Sequence, residues 1–249
     1  MNRRNFLASV GTGAVIANTS LGQNSEPQDD VFQDLKKRIA DKEPIIWVFT
    51  GDSITHGALH TYGWRSYVEH FAERVRFEMR RYTDIVINSG ISGDTMKGIL
   101  ARDEWRMFQF KPHVISLKIG MNDCKEGEKG ISFFKDSLEK LIEKTQEKKI
   151  LLLLNTPNLI QFELDKTRHA LPLYIEAIRE ISREYKLSLI DHYAHWTKET
   201  ANSSRLQMWL NDGSIHPNNF GHLVLARKIF QDLGIFDEKS IVCSRLFVP

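Results

Sequence analysis

The sequence predicts a three-layer α/β/α domain built on a central, mainly parallel β-sheet. Short apolar runs of strand length alternate along the chain with amphipathic stretches of helix length. Residues 150–154 are uniformly apolar, the pattern of a strand covered on both faces. Polar, often glycine-containing motifs follow directly on the apolar runs, as ligand loops do at the carboxyl edge of an open α/β sheet.

Residues 1–23 read as an export signal, because Arg3 and Arg4 precede an apolar, small-residue run from Phe6 to Leu21. The arginine pair followed by Asn5-Phe6-Leu7 resembles a twin-arginine signal, with an ordinary secretory signal as the alternative. The run is too short and too rich in Gly and Ser to span a bilayer, so no stable membrane insertion is expected. Residues 24–43 form a polar linker and a short helix at 31–41, and 44–249 form one domain.

Pro44 separates that helix from a first strand at 45–49. Tyr67, Val68, Phe71, Val75 and Met79 recur at helical spacing and predict a helix over 66–80. Further strands are expected at 84–88 and, entered through Pro112, at 113–119. The stretch 131–149 turns Phe134, Leu138, Leu141 and Ile142 inward and lysine–glutamate pairs outward, which is an amphipathic helix. Strand 150–154, helix 171–185, strand 187–190 and a closing helix at 218–233 complete the alternation.

The formal charge is +2, from 34 Lys and Arg against 32 Asp and Glu. Arg3 and Arg4 are unopposed within the first 23 residues, so a chain lacking that segment is neutral. Neutrality without a basic cluster removes the electrostatic case for nucleic acid as a partner. Cys124 and Cys243 are expected to be reduced and partly buried.

The chemistry is concentrated at strand ends. Ser53 stops the first apolar run at Gly51-Asp52-Ser53, and His216 lies far downstream in Asp212-Gly213-Ser214-Ile215-His216-Pro217. Ester hydrolysis by a serine needs a nucleophile, a base, a group that holds the base in one tautomer, and donors aimed at the oxyanion. Ser53 and His216 suit the first two roles. Asp212 is the nearest acid to His216, and a backbone carbonyl orienting a Ser–His dyad is the alternative, with Asp191 a weaker one. Asp52 and Asp123 read as turn carboxylates that accept backbone bonds.

Four short blocks in order resemble the SGNH (GDSL-type) hydrolases: residues 51–57, Asn88-Ser89-Gly90-Ile91-Ser92-Gly93, Gly120-Met121-Asn122-Asp123, and His216-Pro217-Asn218 followed by Gly221-His222. The resemblance implies a flavodoxin-like fold and a serine esterase with an acyl-serine intermediate. It also implies an oxyanion hole made by the backbone N–H groups of Ser53 and Gly93 and the side-chain amide of Asn122. One departure stands out. The family places its aspartate three residues before the histidine, where this chain has Gly213, so Asp212 would need an extra loop residue to reach His216.

Substrate contacts are expected from His60, Trp64, Asn155 and Trp209. No cofactor and no metal are expected, since the histidines are scattered rather than spaced as ligands. The substrate class expected from exported members is a small acyl ester of a carbohydrate, O-acetyl first. A lysophospholipase or thioesterase, a metallophosphoesterase and a non-catalytic carbohydrate-binding module are the rival readings.

Overall fold

The structure is a computed structural model and describes residues 31–201, 203–211 and 213–245. The expected export signal and Asp212 lie outside the described residues.

Helix α1 (Gln33–Ala40) leads into β1 (Ile46–Gly51), then a single turn α2 (Ser53–His56) and α3 (Tyr67–Ala72). The helix expected over 66–80 starts where a Ser66/Glu69 capping box predicts, but from Glu73 to Glu78 it widens into π-helical turns. In that stretch Arg74 is buried, its Nε donating to Ile235 O at 2.9 Å and its Nη1 pairing with Glu78. Strand β2 (Ile85–Asn88) is followed by two short helices, α4 (Met96–Leu100) and α5 (Asp103–Arg106), then β3 (Val114–Lys118). Next come α6 (Ile131–Glu147), β4 (Leu151–Asn155), α7 (Leu171–Glu184) and β5 (Ser188–Ile190). Helices α8 (His192–Thr200), α9 (Arg205–Trp209) and α10 (Asn219–Asp232) close the fold. Periodicity misses α4, α5, α8 and α9, since pieces of four to nine residues hold too few turns to show it.

The five strands among the described residues are all parallel, in the order β2-β1-β3-β4-β5. The chain moves outward one way from β1 to β2 and the other way from β3 to β5, and right-handed crossovers therefore put α3 and α6/α7 on opposite faces. Consistent with this, Trp47 and Phe49 of β1 pack on Phe71, which stacks on Phe230 of α10. The strand order reverses between β1 and β3, so ligands are expected above the carboxyl ends of those two strands.

Asp84 anchors the opposite edge. Its buried carboxylate accepts from Ile45 N, Trp47 Nε1 and the Arg81 guanidinium, while Arg81 also donates to Ile39 O. One carboxylate thus joins the entries to β1 and β2 and the end of α1. Asp84→Ala leaves the half-buried Arg81 guanidinium without its counter-charge and two N–H groups without their acceptor, and is expected to lower stability by about 2–4 kcal/mol in urea unfolding.

Candidate active site

Strand β1 ends in a sharp turn that aims Ser53 out of the sheet. The turn requires close backbone approach, because a Cβ on Gly51 would stand 2.1 Å from Lys118 O. Asp52 then caps α2, its carboxylate accepting from Ile54 N at 2.9 Å. Ser53 Oγ lies 3.0 Å from His216 Nε2. With the His216 proton on Nδ1, Nε2 accepts from the Ser53 hydroxyl, the geometry a general base needs.

His216 sits on a loop closed by backbone pairing: Leu210 bridges Pro217, and Asn211 N donates to His216 O at 2.8 Å. Asn218 both caps α10 and donates through Nδ2 to Met208 O. The loop after β4 braces this segment through Gln161 N to Ser214 O and Asn158 Nδ2 to Ile215 O. Asp191 caps α8 and pairs with Arg179, which occupies the carboxylate weighed above as a substitute for Asp212.

The second block is tied to the first. Asn88 Nδ2 donates to Thr55 O at 2.7 Å, Ile91 N donates to Gly51 O, and Ser92 Oγ lies 3.1 Å from His56 Nδ1. Gly93 takes φ +81°, a left-handed conformation that favours glycine, and its face is open, since an added Cβ would meet nothing within 4 Å. The third block joins the second through Asn122 Nδ2, which donates to Asp94 O at 3.1 Å. Asn122 Oδ1 accepts from Arg168 Nη2 at 3.2 Å. All four blocks therefore meet at one edge of the sheet.

Two buried arginines escape sequence reading. Arg106 donates to Gly51 O (2.9 Å) and Ser89 O (2.7 Å) and pairs with the Asp94 carboxylate, which also binds Arg102. Arg168 donates from Nε to Met121 O and pairs with Asp165. Neither sits in a recognisable motif. A visible signal did exist for Lys118, a charged residue in an otherwise apolar strand. It is fully buried, and burial pushes its ammonium down to about 8 against the opposing pull of Asp52. Burial conversely raises Asp52, with Lys118, the Ile54 N–H, His216 and Arg168 opposing it.

Two expected substrate contacts, Asn155 and Trp209, are placed away from the ligand edge, while His60 stands beside the base. Asn155 is sealed inside the sheet, donating to Ser116 Oγ, Leu153 O and Leu117 O and facing His192 Nε2 through Oδ1, because a side chain at a strand's last position still lies within the layer. Trp209 is buried edge-on against Trp196 at 5.1 Å between ring centroids. His60 lies face to face with His216, its centroid 3.5 Å away and the planes 2° apart, so it buttresses the base. Trp64 is open to solvent and lines a cavity of about 430 Å³ with Phe77, Phe220, Leu223 and Val242. Among the described residues, Ser53, Asn122 and His216 do not line that cavity.

Cys124 and Cys243 are free and wholly buried, deeper than expected. Among the described residues no three His, Cys, Asp or Glu side chains are grouped to hold a metal ion, and no helix is long and apolar enough to cross a membrane.

Residues 49–224 match the GDSL-like lipase/acylhydrolase family. An acetylxylan esterase of Geobacillus stearothermophilus is 28% identical over 211 residues, covering 75% of this chain and 93% of that protein. A solved tryptophan-to-isoleucine variant of an acetyl xylan esterase from the same organism superposes with a TM-score of 0.67 at 24% identity, over 80% of this chain and 100% of its own. LAE5, an alpha/beta hydrolase enzyme from the metagenome of Lake Arreo, Spain, gives 0.66 at 21% identity over 78% and 98%. At these identities the structural likenesses establish the fold.

Asp123 makes the site pH-sensitive in stability. Burial is the largest influence on its carboxyl and raises it to about 7, although Met96 N donates to Oδ1 at 2.8 Å. A carboxyl raised above its unfolded value favours the fold while protonated, so this contribution is lost as pH rises through about 7. Asp123→Asn keeps the acceptor and removes the charge. The variant's Tm is expected to exceed that of the wild type most at pH 8, and the gap to narrow as pH falls from about 7 and close only near the unfolded value of 3.8.

Proposed function

The chain belongs to the GDSL-like lipase/acylhydrolase family and is a serine esterase, and from that premise we propose that it removes short acyl groups, acetyl first, from a carbohydrate outside the cytoplasm. The observation that carries the chemistry is the 3.0 Å contact between Ser53 Oγ and His216 Nε2 at the ligand edge of the sheet. The substrate class rests on the likeness to an acetylxylan esterase. Crystallised catalytic mutants of that relative replace a serine, an aspartate and a histidine by alanine, residue types that Ser53, Asp212 and His216 supply here. Export rests on Arg3, Arg4 and the run that follows them.

In the first half-reaction Ser53 Oγ attacks the ester carbonyl carbon as its proton passes to His216 Nε2. The carbonyl oxygen becomes an oxyanion, which accepts from the N–H groups of Ser53 and Gly93 and from Asn122 Nδ2. Collapse breaks the bond to the sugar oxygen, which leaves with the proton from His216. Water then repeats the attack on the acyl-serine with His216 as base, releasing the carboxylic acid and restoring Ser53. Asp212, or a backbone carbonyl in its place, holds Nδ1–H throughout.

Purified protein is expected to cleave acetylated xylo-oligosaccharides and p-nitrophenyl acetate faster than esters of longer acyl chains. A preference that grows with acyl length would favour the lipase or thioesterase reading instead. Ser53→Ala is expected to leave only about 10³- to 10⁴-fold catalysis over water and to abolish labelling by a fluorophosphonate. Asn122→Ala is expected to lower kcat by about 10²- to 10³-fold with little change in KM. Arg3→Lys with Arg4→Lys is expected to stop export if the twin-arginine route is used.

A further inference from the structure

A primary amide is nearly symmetrical in shape but opposite in function at its two ends. Asn122 can donate to an oxyanion only if Nδ2 faces it, because a flipped side chain would present oxygen lone pairs and repel the developing charge. The direction is imposed from two sides. Asp94 O can only accept, and it takes one Nδ2 proton at 3.1 Å. Arg168 can only donate, and its Nη2 meets Oδ1 at 3.2 Å, so a flip would set NH₂ against guanidinium and oxygen against carbonyl. One Nδ2 proton remains for the oxyanion.

From this geometry we infer that Arg168 is a positioning residue, which locks and polarises the Asn122 amide as an oxyanion-hole donor. The inference rests on the role of Asn122 in the proposed reaction. The guanidinium is itself held at every edge the reaction needs: Nε donates to Met121 O at 3.0 Å, and Nη1 pairs with the Asp165 carboxylate. Asp165 also caps the turn that carries Arg168, accepting from Thr167 N and Oγ1. Arg168 is only 6% exposed, so its bond to Oδ1 is charge-assisted in a low-dielectric setting and strengthens the opposite N–H as a donor.

The location adds a second consequence. Arg168 lies on the loop between β4 and α7, the same loop that braces the His216 segment through Gln161 N to Ser214 O and Asn158 Nδ2 to Ile215 O. One loop therefore supports the base at one end and the amide donor at the other. Its positive charge also reaches Asp52, next to Ser53, whose carboxyl is raised mainly by burial and is drawn back in part by Arg168.

The test is a double-mutant cycle on the full chain, with kcat and KM for p-nitrophenyl acetate and the Tm of each variant. Arg168→Met is expected to lower kcat by at least about 10-fold, up to the loss caused by Asn122→Ala, with KM nearly unchanged. In the Asn122→Ala background the same substitution is expected to cost no further kcat, because a residue acting through Asn122 has nothing left to position. Arg168→Lys, which keeps the charge but loses the fork, is expected to fall between wild type and Arg168→Met and serves as the reporter if Arg168→Met does not fold. Additive losses in the double variant would overturn the inference and assign Arg168 a purely structural role. Wild-type kcat in both Arg168 variants would also overturn it. An Asn122→Ala variant with unchanged kcat would instead sink the oxyanion reading itself, which separates the two failures.

Discussion

The carbonyl of Gly51 is the point on which the active edge depends. It accepts from Ile91 N at 3.0 Å and from Arg106 Nη2 at 2.9 Å, while its Cα packs against Lys118 O too closely for any side chain. The end of β1, the loop after β2, helix α5 and the end of β3 are thereby held at one spot. Ser53 stands two residues further on. A nucleophile needs placement to within a fraction of an ångström, and it receives it from three backbone-directed contacts rather than from its own side chain.

From that point the remaining contacts spread outward in order. Arg106 carries the restraint to Asp94, Asp94 O carries it to Asn122, and Arg168 carries it across to the loop after β4. That loop returns to the His216 segment. The donors, the nucleophile and the base thus belong to one closed circuit of hydrogen bonds. Such a circuit keeps the polar edge rigid without a substrate present, which is what electrostatic preorganisation requires. Beneath it, burial drives the charged forms of Lys118, Asp52 and Asp123 towards neutrality. It also holds His222 neutral by pushing its imidazole down to about 3, and Nδ1 there accepts from Tyr67 N.

How far the sequence could be read depended on the range of the interactions involved. The strands at 45–49, 84–88, 113–119, 150–154 and 187–190 all exist with ends shifted by one or two residues, because apolar runs and flanking Pro or polar motifs are local signals. The meeting of Ser53 with His216 followed from motifs at strand ends, and their separation of 163 residues was no obstacle once the sheet was parallel. The same logic failed for Asn155 and Trp209. Both follow or precede the right elements, yet one points into the sheet and the other into the core against Trp196. A position beside a motif does not say which way a side chain faces.

By itself, then, the sequence determined the fold class, the order of the four blocks and their arrival at one edge, since these follow from hydrophobic periodicity and from the right-handed connection of parallel strands. Only the tertiary structure decided that His60 would stack on His216, and that Arg106 and Arg168 would turn inward to hold carbonyls and an amide from elements distant in the chain. An arginine on a short helix or a loop reads locally as a solvated surface residue. Its burial is settled by which unpaired carbonyls and carboxylates the packed elements bring to it, and that information exists only once they have packed.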